Sequence, residues 1–296
     1  MRLGAAALAA LLATGPVEAA ETLGWSLAIS NDSIGQFKDR WQSSSVQLGI
    51  VRGDAWQGRA PERVGELLEF RFRTDLITPE ELDDPDPDDR RHAGVLAFGL
   101  HTHFERGGYE ARLGADLVVV GEQTGLLSLQ EELHNILGFT VPELDDFQID
   151  DQERLDVSGE IARSFDLGTA VVRPFAEAQV GSEDLLRIGL DVTWGALARD
   201  TLLLRALTTG QRVPAITAGQ GLSWSVGADI AFVEDSIYLP ENLGYDLTDT
   251  RQRVRGGAHY RLGRYDVFYG VAWLSEEFEA QPEGQFVGTF QARMDF

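Results

Sequence analysis

Hydrophobic and polar residues alternate along the chain from about residue 24 to its end. In the last segment, Phe286 and Phe290 share one face, while Gln291 and Arg293 lie on the other. A period of two is typical of β-strands, because successive side chains point to opposite faces of a sheet. Twelve segments show this alternation, at about 24–32, 43–53, 66–75, 93–104, 107–120, 152–165, 168–179, 183–194, 219–233, 251–262, 264–275 and 285–296. The pattern therefore predicts an all-β fold.

The length of these segments separates two all-β classes. Strands of soluble sandwiches usually have about 5 to 6 residues, whereas most segments here have 10 to 12. Strands that cross a membrane need about 9 to 11 residues, and barrel closure satisfies every backbone hydrogen bond in lipid. Trp25, Trp194 and Trp273 lie toward segment ends, as in the aromatic girdles of such barrels. We therefore expect a transmembrane antiparallel β-barrel of about twelve strands over residues 21–296, with a soluble sandwich as the alternative.

The connections between the segments predict an orientation in the membrane. Periplasmic turns of outer-membrane barrels are tight, and three connections fit this description, around residues 106–108, 166–168 and 262–264. The long connections that would then face outward are 33–42, 76–92, 121–151 and 234–250. Two periplasmic connections, those after the second and eighth segments, are longer than this rule predicts, and residues 196–207 of the latter are predicted to form a short amphipathic helix.

Arginines recur on the polar face of the predicted strands. Buried charges are tolerated when they are paired, so we expect these arginines to form ion pairs that fill the lumen. The arginines are Arg71, Arg73, Arg112, Arg187, Arg253, Arg255 and Arg261, and the expected partners are Glu69, Glu110, Asp116, Asp191 and Glu160. His101 and His103 share one strand face, and we expect them to fill the lumen rather than to bind a metal.

The first twenty residues have the pattern of a secretory signal peptide. Arg2 forms a small positive region, the apolar run ends near Ala13, and small residues stand at Val17 and Ala19. The apolar run has about ten residues, which is too short for a membrane-spanning helix of about 20 residues. We therefore predict a signal peptide at 1–20 and an exported barrel at 21–296.

The composition removes several classes of function. Without cysteine the chain has neither a disulfide framework nor a thiolate metal site. Its 48 acidic and 25 basic residues give a formal net charge of −23, and Lys38 is the only lysine. Such a surface repels a phosphate backbone, so nucleic acid is not expected as a partner. Divalent cations are the expected intermediaries between this surface and an anionic lipid.

The third outward connection contains a short helical pattern. Its leucines recur at helical spacing, at positions 126, 129, 133 and 137. Gln130 and His134 are four residues apart and therefore lie on one side of this helix. A polar pair at a barrel rim is more readily explained by chemistry than by packing.

Several motifs occur together at the outer ends of the strands. They are Asn31-Asp32, residues 39–44, a GxQTG stretch that leads to Gln130 and His134, and residues 147–149. In this combination the chain resembles the outer-membrane lipid A 3'-O-deacylase family. Members of that family are twelve-stranded barrels that remove an acyloxyacyl group from lipid A in the outer leaflet, using calcium and a histidine. The resemblance implies an ester hydrolase of the bacterial outer membrane that acts on lipopolysaccharide among outer-membrane lipids, as a monomer.

The resemblance also implies site residues. His134 would be the general base that activates water, and Asp32 would be a ligand of Ca²⁺. Asn31 and Ser43 would help to arrange the metal and the oxyanion, and Gln130 would complete the catalytic group. These roles agree with general chemistry, since the unperturbed pKa of histidine lies near neutral pH and hard cations prefer oxygen ligands.

The chain departs from the family pattern at two places. The family has threonine, asparagine and glycine where this chain has the serines of residues 43–45. An acidic residue that orients the histidine is expected shortly after it, but Thr140 stands at the first position to consider. The substitutes that remain open are Glu143, Asp145 and Asp146.

Two other functions remain as alternatives. A non-enzymatic outer-membrane channel or structural barrel would have an open lumen and no use for His134. A serine-type outer-membrane phospholipase would need a histidine within reach of a nucleophilic serine, and the sequence contains no His-x-Ser-Asn arrangement.

Overall fold

The structure is a computed structural model that describes residues 20–294. The predicted signal peptide lies outside these residues except for residue 20, and its cleavage stays a prediction. Twelve long strands are present, with the bounds β1 Glu21–Asn31, β2 Trp41–Gly53, β3 Leu67–Thr78, β4 Ala93–Arg106, β5 Tyr109–Val120, β6 Gln152–Ala162, β7 Ala170–Val180, β8 Glu183–Gly195, β9 Gly221–Ser236, β10 Arg251–Leu262, β11 Tyr265–Leu274 and β12 Gln285–Met294.

The twelve strands form a closed antiparallel barrel. Each strand pairs with its neighbours in sequence, β1 also pairs with β12, and the contact between β6 and β7 completes the ring. The predicted fold class is therefore confirmed. The helix α1, Leu126–Leu137, confirms the short helix predicted in the third outward connection. No helix in residues 20–294 is long and apolar enough to span a membrane.

The alternation in the sequence corresponds to the two faces of the barrel wall. Along β2, buried residues such as Ser43, Ser45 and Gln47 alternate with partly exposed ones. Along β9, Leu222 and Trp224 are exposed on the outer surface. Polar side chains thus face the lumen and apolar side chains face outward, as a lipid environment requires.

The connections differ strongly between the two ends of the barrel. The end called here the outer end carries the long loops 32–40, 79–92 and 121–151, which include α1. The opposite end, called the inner end, has the two-residue turns 107–108 and 263–264 and also the long connections 54–66 and 196–220. This division agrees with the orientation predicted from the sequence.

The prediction of a helix at 196–207 is wrong. Residues Leu202–Arg205 form a strand that pairs with Arg212–Ile216, and this inner hairpin lies inside the barrel. All four residues of its first strand are buried, so neither face of the strand needs to be polar. The three consecutive leucines produce no alternation, and the periodicity that identifies a wall strand is absent here.

The inner hairpin is held to the wall by hydrogen bonds from lumen-facing side chains. Gln47 Nε2 donates to the carbonyl oxygen of Arg205 at 2.9 Å, and Arg293 Nη1 donates to that of Ala215 at 2.5 Å. Gly24 permits the close approach of the hairpin, since a Cβ there would clash with the carbonyl oxygen of Ala215. The hairpin therefore plugs the lumen.

The predicted ion pairs are found in part. Arg71 Nε lies 2.8 Å from Glu69 Oε1, and Arg255 Nη2 lies 2.5 Å from Asp191 Oδ1. The buried ring of His101 lies against a lumen carboxylate and the ring of His103 against Glu69, as a filling role requires. The hairpin adds a charge that the sequence did not place in the lumen, because Arg205 was assigned to a helix.

The largest set of lumen charges is one connected group, which we call the lumen network. Its members are joined by N···O distances of at most 3.8 Å, and several pairs share a carboxylate. They are Arg112, Arg173, Arg187, Arg205, Arg253 and Arg255 with Glu110, Glu160, Glu177, Asp191 and Asp229.

Candidate active site

The candidate site lies at the outer rim of the barrel, where β1 ends and β2 begins. Loop 32–40 joins these two strands, and α1 from loop 121–151 lies beside it. Predicted site residues that are far apart in sequence therefore come together from two loops.

Asp32 is fixed at the first position of loop 32–40. Its side chain is fully buried, and its Oδ2 accepts a hydrogen bond from the backbone N–H of Arg40 at 2.7 Å. Its backbone N–H donates to the carbonyl oxygen of Ser43 at 3.1 Å, and its own carbonyl accepts from Gly35 at 2.9 Å. The turn thus determines where the carboxylate points.

Asn31 contributes to the same turn. Its Oδ1 accepts a hydrogen bond from the backbone N–H of Ser33 at 2.7 Å, which is an Asx turn. In the structure the side-chain oxygen of Asn31 therefore shapes the loop, and its predicted chemical role stays a prediction.

Asp39 connects two of the predicted site residues. Ser43 Oγ donates a hydrogen bond to Asp39 Oδ1, and His134 Nε2 lies 3.2 Å from Asp39 Oδ2. Sequence reasoning included Asp39 in the family motif but gave it no role. The acidic neighbour of the histidine comes from the loop before β2 and not from Glu143, Asp145 or Asp146, which were the positions considered.

His134 is positioned by the end of α1. Its Nδ1 lies 2.6 Å from the carbonyl oxygen of Thr140, so this nitrogen carries the proton and donates. Gly138 has a left-handed backbone, with φ of 75°, and it returns the chain toward the histidine. Thr140 therefore orients the histidine through its backbone carbonyl and not through an acidic side chain.

Gln130 lies deeper than His134 on the same helix. It is buried, and its Oε1 has no hydrogen-bond partner among the described residues. Its amide and that of Gln148 lie beside His92. Burial lowers the pKa of His92 to about 4, although these two amides act to raise it. His92 is therefore neutral at pH 7. The side chain of Gln130 connects α1 with His92, which lies just before β4.

The site concentrates negative charge in a buried place. Burial raises the pKa of Asp32 to about 8. The hydrogen bond from Arg40 acts to lower this pKa, and the nearby charge of Asp39 acts to raise it. Asp32 Oδ1 is buried and has no hydrogen-bond partner in the described chain. A carboxylate oxygen left in this state is costly unless a cation or a proton compensates for it.

These observations fit a hard divalent cation. Calcium prefers carboxylate and carbonyl oxygens together with water, and the orphaned Oδ1 of Asp32 is a donor of that kind. Residues 20–294 contain no group of three or more His, Cys, Asp or Glu arranged to hold a metal. Backbone carbonyls or water would have to complete the ligand set.

Ionic contacts hold loop 32–40 in place. The buried Arg40 bonds to Glu80 and, at 2.6 Å, to Glu283 from the β11–β12 loop. Its guanidinium carbon lies 3.9 Å from the ring centroid of Trp41. Lys38 reaches Glu283 at 3.3 Å. Three outer loops are thereby joined around the site.

An exposed apolar surface adjoins the histidine. On α1 and just after it, Ile136 is 70%, Leu137 61% and Phe139 61% exposed, and Phe139 packs edge-on against His134. Phe37 of loop 32–40 is 92% exposed. Exposed apolar patches of this kind commonly mark contact with another molecule or a membrane.

Comparisons with known proteins agree with this architecture. The sequence profile of the family described as outer membrane protein LpxR matches residues 4–296, while a search of curated proteins finds no match. Among solved structures, LpxR from Salmonella typhimurium is similar, with a TM-score of 0.76 and 19% identity over 92% of this chain and 100% of that chain. An outer membrane channel from Pseudomonas putida F1 gives a TM-score of 0.48 with 11% identity over 96% of this chain and 100% of that one.

Proposed function

The chain belongs to the family of outer membrane protein LpxR and is an outer-membrane β-barrel, and on this premise we propose that it is a lipid A deacylase. It hydrolyses an ester-linked acyloxyacyl chain of lipopolysaccharide in the outer leaflet, and its activity depends on calcium. The site lies at the outer rim, beside exposed apolar side chains that suit a lipid substrate.

The observation that carries the proposal is the contact between His134 and Asp39. A histidine and a carboxylate meet at 3.2 Å beside the buried Asp32, although they come from different loops. Water-mediated ester hydrolysis of this kind uses three groups. They are a base, a carboxylate that stabilises the protonated base, and a carboxylate that is suited to a cation.

In this mechanism His134 removes a proton from the attacking water. Its Nδ1 donates to the carbonyl of Thr140, so the proton taken from water is held on Nε2, the nitrogen that faces Asp39 Oδ2. The water oxygen adds to the acyl carbon, the bond from that carbon to the lipid A oxygen breaks, and the proton on Nε2 passes to the departing alkoxide. Asp39 stabilises the imidazolium that exists between these two proton transfers.

The remaining residues position these groups. Ser43 donates to Asp39 and holds the carboxylate toward the histidine. Asp32 is the residue that would hold calcium, with Asn31 shaping the turn beside it. When bound, the cation supplies positive charge for the oxyanion. Gln130 supports the helix at the rim.

The structure weighs against the two alternatives. An open channel is disfavoured, because the inner hairpin occupies the lumen. A serine nucleophile is disfavoured at this site, because the hydroxyl of Ser43 donates to Asp39 and not to His134. Asp39 lies between the two side chains, which is not the order of a serine–histidine pair.

Mass spectrometry of lipid A from expressing cells tests the proposal. We expect the wild type to produce lipid A with fewer acyl chains, and His134→Ala and Asp32→Ala to leave the acyl count unchanged. Glu132→Ala, an exposed change on the same helix, is the matched control and should behave like the wild type. An unchanged acyl count in the wild type, with calcium present and the barrel folded, would overturn the proposal.

A further inference from the structure

A cavity lies at the inner end of the barrel, at the opposite end from the candidate active site. It has a volume of about 370 Å³ and lies between the inner hairpin and the wall. Among its lining residues are Arg112, Arg173 and Arg205 of the lumen network and Arg212 of the hairpin. The proposed deacylase mechanism uses none of these side chains.

One arginine of this cavity lacks a direct partner, although the lining contains as many carboxylates as arginines. The lumen network contains six arginines and five carboxylates. The side chain of Arg212 forms no ion pair or hydrogen bond with any described residue, and Arg212 stands opposite Arg205 in the hairpin register. The carboxylates of Asp191 and Glu110 act on it only at longer range. The guanidinium of Arg212 therefore lies at the cavity without a direct acceptor.

Two further guanidinium nitrogens lack partners. Arg112 Nη1 and Arg173 Nη1 are buried and have no hydrogen-bond partner among the described residues, although both side chains form ion pairs, and Arg173 Nη1 lies 3.8 Å from Asp191 Oδ2. Both side chains are more than nine-tenths buried and line the same cavity as Arg212. A buried guanidinium without a partner is costly, so this arrangement calls for an acceptor.

We propose that the inner cavity binds a small oxyanion, of which inorganic phosphate is the simplest example. Guanidinium groups bind phosphate oxygens through directed, often bidentate, hydrogen bonds. One such anion supplies the missing acceptors. Its entry would be from the inner end, where the cavity reaches the exposed residues Arg59 and Arg199.

Binding at this place joins the hairpin to the wall. Arg212 belongs to the hairpin, whereas Arg112 and Arg173 belong to β5 and β7. An anion held by all three groups therefore favours the plugged, folded barrel over the unfolded chain and raises its unfolding temperature.

The experiment measures the thermal unfolding midpoint of the full chain folded in detergent micelles. Inorganic phosphate and glycerol 3-phosphate, which represents a lipid headgroup, are titrated against sodium chloride at matched ionic strength. We expect a saturable rise in the midpoint with phosphate and no such rise with chloride. Arg212→Gln should lose the phosphate-dependent rise, and Arg59→Gln, at the exposed mouth of the cavity, should retain it.

In each variant the midpoint with phosphate is compared with the midpoint with sodium chloride. A general effect of the substitution on stability is therefore cancelled. A larger rise with glycerol 3-phosphate than with phosphate would assign the site to a headgroup, and equal rises with both compounds would assign it to free oxyanions in general. Equal responses to phosphate and chloride in the wild type would overturn the proposal, as would a full phosphate response in Arg212→Gln. Lipid A hydrolysis is not part of the readout, so the deacylase proposal stands or falls separately.

Discussion

Two carboxylates with different surroundings define the candidate site. Asp32 is buried with one orphaned oxygen, whereas Asp39 bonds to Ser43 and contacts His134. The first carboxylate is therefore suited to a cation, and the second to a protonated imidazole.

The buried state of Asp32 predicts a pH dependence of stability in calcium-free buffer. An aspartate in the unfolded chain loses its proton near pH 3.9, whereas in the folded chain the pKa of Asp32 is about 8. Between these values the folded chain holds a proton that the unfolded chain has lost, so the free energy of unfolding falls as pH rises. Above about pH 8 the contribution of Asp32 becomes constant.

Urea unfolding in micelles, followed by tryptophan fluorescence, measures this effect. We expect the Asp32→Asn variant to lose the pH dependence that Asp32 causes. Its free energy of unfolding, relative to that of the wild type, should therefore increase from pH 4 to pH 8. Calcium should reduce the difference between the two proteins. The exposed change Asp54→Asn is the control, and a stability difference for Asp32→Asn that does not vary with pH would contradict the account.

Asp39 is expected to act through His134 and not by binding substrate. Asp39→Asn should lower kcat for lipid A hydrolysis by about 10- to 100-fold with little change in KM, because supporting partners of a reacting group typically contribute this much. Steady-state kinetics with purified lipid A measures both constants. A change confined to KM would assign Asp39 to substrate binding instead.

At the level of single residues, part of the site could be predicted from the sequence. The motifs identified Asn31, Asp32, Ser43, Gln130 and His134 as candidates, and the fold brings their loops together. The orienting contact could not be predicted, because a backbone carbonyl leaves no trace in residue type. The contact with Asp39 depends on how two loops pack, which alternation within strands does not determine.

Among the elements, the end of α1 determines where the histidine stands. Gly138 adopts a left-handed conformation in open space, so a Cβ there meets strain but no clash. Gly138→Ala should cost about 1–2 kcal/mol of local stability and displace Thr140, whose carbonyl holds His134. We expect a lower rate of deacylation, measured by release of fatty acid.

Gly168→Ala is the matched control for this change. Gly168 also has a left-handed backbone in open space, but it lies in the β6–β7 connection at the inner end. The control should lose a similar amount of stability and keep its activity. Equal loss of activity in both variants would indicate a general effect of strain.

The strands and the inner hairpin differ in how well the sequence predicts them. Wall strands separate lipid from lumen and therefore alternate, and all twelve were predicted within a few residues. The hairpin is enclosed on both sides, and its first strand is leucine-rich without alternation. Periodicity alone does not distinguish such a buried strand from a helix.

For the whole molecule, the hairpin decides whether the lumen conducts ions. Replacing residues 202–216 with a short glycine-serine linker removes the plug and should produce conductance steps in planar bilayers, whereas the wild type should show none. The same linker inserted in turn 107–108 is the control, since it leaves the hairpin intact. A conducting wild type would restore the channel alternative.

The most direct test of the central claim is the release of fatty acid from lipid A by the purified, folded barrel in calcium-containing micelles. Mass spectrometry should detect a free acid and a lipid A that has lost the corresponding chain. His134→Ala should reduce the rate by at least about 100-fold, while Glu132→Ala keeps it. No release by the wild type, or release by His134→Ala at the wild-type rate, would contradict the assignment of this site as a histidine-dependent deacylase.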